Sequence, residues 1–178
     1  MLKTRSKHIN IDERRVLTEL KKNSKESIDA IAKKYSLSRQ KVRKIINRVE
    51  KNGSIWGYHT VISDNKLDLK RYFILIKKTN LLVSEDKLNI ITTRIVKNKI
   101  EKIGVYIDCS FFLHGSFDWL ICLTAHNIKY VKKFIELFLV LFKGYVSNIE
   151  VLEVVFPVKK CGIDNQDLGE IKEILSLK

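Results

Sequence analysis

The sequence predicts an α+β chain in two parts: three short helices, then a sheet with two helices against one face. Three observations carry this. Apolar residues recur at helical spacing over residues 12–53, and strand-like and helix-like segments alternate from residue 71 to residue 158. The third is charge. Of a formal net charge of +14, residues 1–60 hold sixteen Lys and Arg against six Asp and Glu, a balance of +10, and residues 61–178 hold eighteen against fourteen, only +4.

The first helix is read from Asp12, a candidate N-cap, to about Lys22, with Val16, Leu17 and Leu20 on its buried side. Ser27 can accept the open amides of a second helix, behind which Ile28, Ile31 and Ala32 share one face. Tyr35-Ser36-Leu37 breaks the pattern and Ser38 supplies another N-cap. Val42, Ile45, Ile46 and Val49 then form the stripe of a third helix, which Asn52-Gly53 ends. The outward face of that helix carries Gln40, Arg43, Lys44, Asn47 and Lys51. Amide and guanidinium groups on one exposed face, over an ordinary buried stripe, suit the base edges of a major groove. This is a helix-turn-helix, winged-helix-like pattern over residues 1–53, followed by an extended linker over 54–66 in which Ile55 to Ile62 read as extended chain. Residues 1–10 are basic and read as a frayed terminus.

Ser63-Asp64-Asn65-Lys66, polar and turn-prone, marks the domain boundary. Residues 71–78 are a continuous apolar run suited to a buried strand. Ser84 opens a helix through Lys99 with Leu88, Ile91, Ile95 and Ile100 along its apolar side. Val105, Ile107, Cys109, Phe111 and Leu113 alternate as a strand should. After a turn at Gly115-Ser116, Trp119, Ile121 and Leu123 alternate in the next strand. Asn127 opens a second helix that is apolar to Phe142, Gly144 stops it, and residues 149–158 form the last strand. The order is βαββαβ over residues 67–158, a ferredoxin-like sheet with both helices on one face. The second helix is apolar nearly all round, more than one sheet face can cover, which points to a second copy of the chain. In the tail, 159–178, Leu168, Ile171, Ile174 and Leu175 read as a short amphipathic helix.

Taken together, these features resemble the Lrp/AsnC (feast/famine) family of transcription regulators. The matching residues are Ile11-Asp12, Ser27, Ile31-Ala32, Leu37-Ser38, Val42, Arg43, Ile46, Val49, Glu50, Gly53, Ile55 and Gly57-Tyr58. Gly115, Phe117, Asp118 and Gly144 follow in the second part. The resemblance implies double-stranded DNA as partner and a second domain that is the dimerisation and ligand domain. It further implies homodimers that assemble into tetramers or octamers, and a small amino-acid effector bound near the turn of Gly115, Phe117 and Asp118. Two departures stand out: Lys143-Gly144-Tyr145 where the family has Pro-Gly-Val, and Asp68-Leu69 without the glycine that precedes the first strand.

Candidate DNA-contacting residues are Ser38, Arg39, Gln40, Arg43, Lys44, Asn47, Arg48 and Lys51. Arg43 can pair with guanine O6/N7 and Gln40 with adenine N6/N7; Lys44, Asn47, Arg48 and Lys51 are assigned to the DNA backbone, and Ser38 to capping. Trp56 and Tyr58 are assigned to linker packing. Asp118 could meet an effector amino group, but an Asp in a turn more commonly bonds the amides of that turn. Cys109, Cys122 and Cys161 are odd in number and lack metal-ligand spacing, so the sequence predicts reduced, mostly buried thiols in a cytoplasmic, DNA-associated protein. No secretory leader or membrane span is read. No nucleophile-base constellation, phosphate loop or paired-carboxylate motif is present in the sequence, so neither enzyme activity nor a cofactor is expected. An architectural DNA-binding protein without an effector remains the alternative function.

Overall fold

A computed structural model describes residues 10–92 and 97–176. Its contacts divide the chain into two units. One is the chain up to Val61 with Val158–Leu168; the other is Ile62–Pro157 with the C-terminal segment from Gly169.

The first unit contains α1 (Ile11–Lys22), α2 (Ile28–Tyr35) and α3 (Arg39–Lys51). Val16, Val42 and Val49 are fully buried, and Ile31, Ala32 and Ile45 complete the core. Each of the Val and Ile side chains contributes about 1.5–3 kcal/mol when removed from water. Both inner caps form as the sequence predicts: Ser27 Oγ accepts the Ala30 amide at 3.0 Å and Ser38 Oγ accepts the Lys41 amide at 3.2 Å. The first helix starts earlier than expected. Asn10 caps it, accepting the Asp12 amide at 3.0 Å, which leaves Asp12 in the first turn, where a carboxylate complements the helix dipole. Gly53, at φ +74°, lets the chain leave α3, and the Ile55 amide returns to the Val49 carbonyl at 3.1 Å. Beyond it no strand forms through Ile62. Trp56 is 99% exposed, and Tyr58 Oη donates to Glu50 at 2.8 Å.

One charged residue sits inside this unit where apolar periodicity gave no sign of it. Glu19, 8% exposed, accepts from Lys34 Nζ at 2.7 Å, Tyr35 Oη at 2.8 Å and Lys22 Nζ at 3.3 Å. The bonds from Lys34 and Tyr35 outweigh desolvation and hold its carboxyl at about 2.

In the second unit a 3-10 turn at Asp64–Leu67 leads into β1 (Lys70–Lys78), α4 (Glu85–Thr92), α5 (Lys97–Lys102), β2 (Val105–Phe112), β3 (Trp119–Ala125), α6 (Ile128–Leu141) and β4 (Val146–Glu153). The strands run antiparallel in the order β2-β3-β1-β4. Tyr72, Ile74 and Ile76 of β1 pack with Ile121 and Leu123 of β3 against Val131, Phe134 and Phe138 of α6. Tyr72 is fully buried and its hydroxyl has no hydrogen-bond partner among the described residues. Gly104, at φ +78°, leaves room for the Tyr130 ring, which a Cβ would meet at 3.1 Å.

Of the helix read through Lys99, α4 and α5 are described on either side of residues 93–96, and Ile95 lies outside the described residues. Three expectations are corrected here. The alternation in β2 is broken by a bulge between Ile107 and Cys109. Ile107 stays on the helix side opposite Leu123, whereas Cys109 and Phe111 turn to the outer face. The last strand is Val146–Glu153 rather than 149–158, because it pairs β1 from Lys78 back to Tyr72. Finally, α6 buries Val131, Phe134, Phe138 and Phe142 in its own chain, leaving Leu139 and Val140 as its main apolar exposure. The bare apolar surface is instead the outer sheet face, with Phe73, Leu75 and Leu120 half-buried and Phe111 and Leu152 exposed.

The tail is divided between the units. A hairpin of β5 (Lys159–Lys160) and β6 (Ile163–Asp164), with Cys161 exposed at its turn, falls in the first. The predicted short helix is α7 (Gly169–Ser176), in the second. Gly169 opens that helix rather than interrupting it, which removes most of its propensity cost.

Candidate nucleic-acid interface

Helix α3 is fixed from beneath and from its N-terminus. Val42, Ile45 and Val49 anchor its inner stripe, the Ser38 cap sets its start, and the left-handed Ser36 (φ 54°) turns the chain from α2 into it. Everything on its outer face is therefore presented by a rigid support. Arg39, Gln40, Arg43, Lys44, Asn47, Arg48 and Lys51 are all exposed.

Ion pairs sort these residues. Arg39 Nε pairs with Asp29 of α2. Arg48 Nη2 meets Glu13 of α1 at 2.5 Å, and that carboxylate is only 13% exposed. Lys41, which the sequence did not single out, reaches Asp12 at 2.6 Å, and the Lys41 hydrogen bond is the chief reason the Asp12 carboxyl is lowered. These contacts strap α1 and α2 to the recognition helix. Arg43, Lys44 and Lys51 have no ion pair among the described residues. Lys44, Asn47, Arg48, Lys51 and Asn52 border a shallow depression of about 440 Å³, with the three cations Lys44, Arg48 and Lys51 on its rim. Ser38 is committed to its cap. The contacts of Arg39 and Arg48 lie between helices and are invisible to helical periodicity; complementary charges at Asp12, Glu13 and Asp29 were the one available signal.

In the second unit, Asp118 does not bond the amides of its own turn. Its Oδ2 accepts the Lys78 amide of β1 at 2.9 Å, its own amide donates to the Ile76 carbonyl at 3.0 Å, and Lys78 Nζ lies 3.9 Å from Oδ1. Asp118 and Lys78 line a largely apolar cavity of about 340 Å³ with Val83, Leu88, Trp119 and Phe138. Gly115 and Phe117 do not line it. Among the described residues no group of His, Cys, Asp and Glu could hold a metal ion, and no helix is long and apolar enough to cross a membrane.

Residues 13–55 match the family of winged helix-turn-helix DNA-binding domains. The chain is similar in structure to the protein PH0061, with a TM-score of 0.67 and 22% identity over 85% of this chain and 95% of that one. It is also similar to an AsnC family transcriptional regulator from Agrobacterium tumefaciens, with a TM-score of 0.63, 16% identity, and 92% and 98% of the two chains covered. A third similar structure is the transcriptional regulator NMB0573 from Neisseria meningitidis in complex with L-Met, with a TM-score of 0.62, 16% identity, and 91% and 98% covered. No curated protein matches the sequence. The chain has the Lrp/AsnC architecture: a helix-turn-helix domain followed by an antiparallel α+β domain.

Proposed function

We propose that this protein is a sequence-specific, double-stranded DNA-binding transcription regulator that acts in the cytoplasm as a homodimer or larger assembly. The observation that carries this is the outer face of α3. There Gln40 and Arg43 stand exposed in the first turns, Arg43 with no carboxylate partner among the described residues, on a helix locked by its buried stripe. Arg43 and Gln40 are the base-reading groups, and Lys44, Asn47 and Lys51 hold the backbone. Ser38, Arg39 and Arg48 keep this surface in shape through the cap and the pairs with Asp29 and Glu13.

Dimerisation is proposed through the outer face of the sheet, where Phe111 is 53% and Leu152 49% exposed beside Phe73, Leu75 and Leu120. An antiparallel sheet with helices on one face and an apolar second face gains most by covering that face. The cavity at Asp118 and Lys78 supports a small amino-acid effector: a carboxylate and an ammonium flank an apolar interior, and a similar structure carries L-Met. If so, an apolar amino acid should raise the melting temperature of the native chain, and Asp118→Ala should remove that shift.

Selection of bound sequences from a random duplex pool tests the central proposal. A recovered consensus with two half-sites supports it. Equal retention of all sequences, with affinity set by salt alone, supports the architectural alternative instead.

A further inference from the structure

We propose that the exposed lysines of α5 and α6 form a second, sequence-independent DNA-contacting surface, which takes phosphates of the duplex beyond the stretch that α3 reads. This rests on the DNA-binding reading above but uses a different part of the chain. The charge balance of the second unit points there. Residues Ile62–Pro157 carry fourteen Lys and Arg against ten Asp and Glu, a net of +4. Helices α5 and α6 alone carry six Lys against two Glu, also +4, so the rest of that stretch is neutral at eight against eight. The neutral part is matched locally. In β1, Lys70 meets Glu153 at 2.8 Å, Arg71 meets Asp64 at 2.8 Å, and Lys78 lies 3.9 Å from Asp118. By contrast Lys99, Lys102, Lys129, Lys132 and Lys133 are exposed and have no ion pair among the described residues.

Packing gathers these lysines. Ile100 of α5 and Ile103 just after it pack on the core that Val131 and Phe134 of α6 also enter, so both helices cover the same face of the sheet. Gly104 leaves the space that the Tyr130 ring fills, and Lys133 Nζ stands 5.8 Å over that ring. Lys102, two residues before Gly104, is thereby brought to the end of α6 that bears Lys129 and Lys133. Glu101 and Glu136 are the carboxylates on these two helices, and the five exposed lysines outnumber them.

The partner that fits is a polyanion. The same face of a second copy would repel this one, and the proposed dimer leaves it open, because Phe111 and Leu152 lie on the opposite side of the sheet. Lysine ammonium groups are point charges without the planar fork that reads a base edge, so they meet phosphate by charge and not by sequence. A duplex is the polyanion that α3 already holds. Its phosphates continue past the half-sites at one charge per about 1.7 Å of axis.

The full-length chain and a variant combining Lys102→Gln, Lys129→Gln and Lys133→Gln are titrated by fluorescence anisotropy at several salt concentrations against two duplexes. One ends at the selected site. The other extends it with random sequence by about three helical turns, roughly 30 base pairs, on each side. The unaltered chain should show the steeper salt slope on the long duplex. The variant should lose that difference, with a slope shallower by up to about 2.7 on the long duplex, and should match the unaltered chain on the short duplex. If the triple variant melts lower, Lys129→Gln and Lys133→Gln carry the test singly, each expected to cost about 0.9 of slope. Equal slopes on both duplexes for the unaltered chain, or a loss of the same size on both for the variant, overturns the proposal while leaving the reading of α3 intact. An unchanged long-duplex slope with lost retention of polyglutamate assigns the surface to an acidic protein and overturns it too. Failure of the unaltered chain to bind either duplex refutes the DNA-binding reading itself and this inference with it.

Discussion

Arg43 and Arg48 lie five residues apart on the exposed side of one helix, yet their surroundings predict opposite behaviour on DNA. Arg43 has no ion pair among the described residues, so Arg43→Ala should cost the whole of a base contact, about 1–3 kcal/mol, or roughly 5- to 150-fold in Kd. Arg48 is tied to Glu13 at 2.5 Å, and Glu13 is 13% exposed. To reach a phosphate, Arg48 must leave that carboxylate poorly solvated. A hydrogen bond to a charged group is worth about 1.5–3 kcal/mol. One phosphate contact contributes only about 1 kcal/mol through counterion release at about 0.15 M salt. Arg48 therefore stays on Glu13, and Arg48→Ala should leave Kd within about threefold and the salt slope unchanged, while lowering the melting temperature. Glu13→Gln should do the reverse. It frees Arg48, tightens binding to selected and random duplexes alike, and steepens the salt slope by about 0.9. Fluorescence anisotropy at several salt concentrations on both duplexes measures all of this. If Arg48→Ala costs as much as Arg43→Ala and makes the slope shallower by about 0.9, the Glu13 pair breaks on DNA and the assignment of Arg48 to α1 is wrong.

Three further outcomes follow from single sites. Glu19 titrates at about 2 when folded against an ordinary value of 4.5, so its contribution is complete above about 4.5 and is lost as pH falls towards about 2. Glu19→Gln should lower the melting temperature at neutral pH and flatten the loss across that window; parallel melting curves at every pH would refute it. Tyr72→Phe removes a buried hydroxyl with no partner among the described residues and should raise stability by about 1 kcal/mol in urea titrations, where a loss would point to a bound water at that oxygen. Phe111→Asp puts a charge on the outer sheet face and should sediment as a monomer at concentrations where the unaltered chain is a dimer; unchanged sedimentation would move the interface elsewhere.

The sequence by itself determined what is encoded within a turn or two of chain. Ser27 and Ser38 cap their helices because the hydroxyl and the amide it accepts are three residues apart. The stripe of Val42, Ile45 and Val49 follows from helical spacing, and alternation with turn residues set the βαββαβ order. Periodicity cannot report what depends on pairing between distant segments. Whether Arg48 is free for DNA depends on Glu13, thirty-five residues away, and the state of Glu19 on Lys34 and Tyr35, fifteen and sixteen away. The break in β2 was equally hidden, since Val105 to Leu113 alternate without a flaw and only the ladder with β3 shows Asp108 as the extra residue. So too was the bare face: α6 is apolar enough to suggest a partner, yet its aromatic residues are covered by the sheet of its own chain, and the uncovered surface lies behind that sheet. Local spacing fixes which residues share a face, but what that face meets is decided by the three-dimensional packing of segments far apart in the chain.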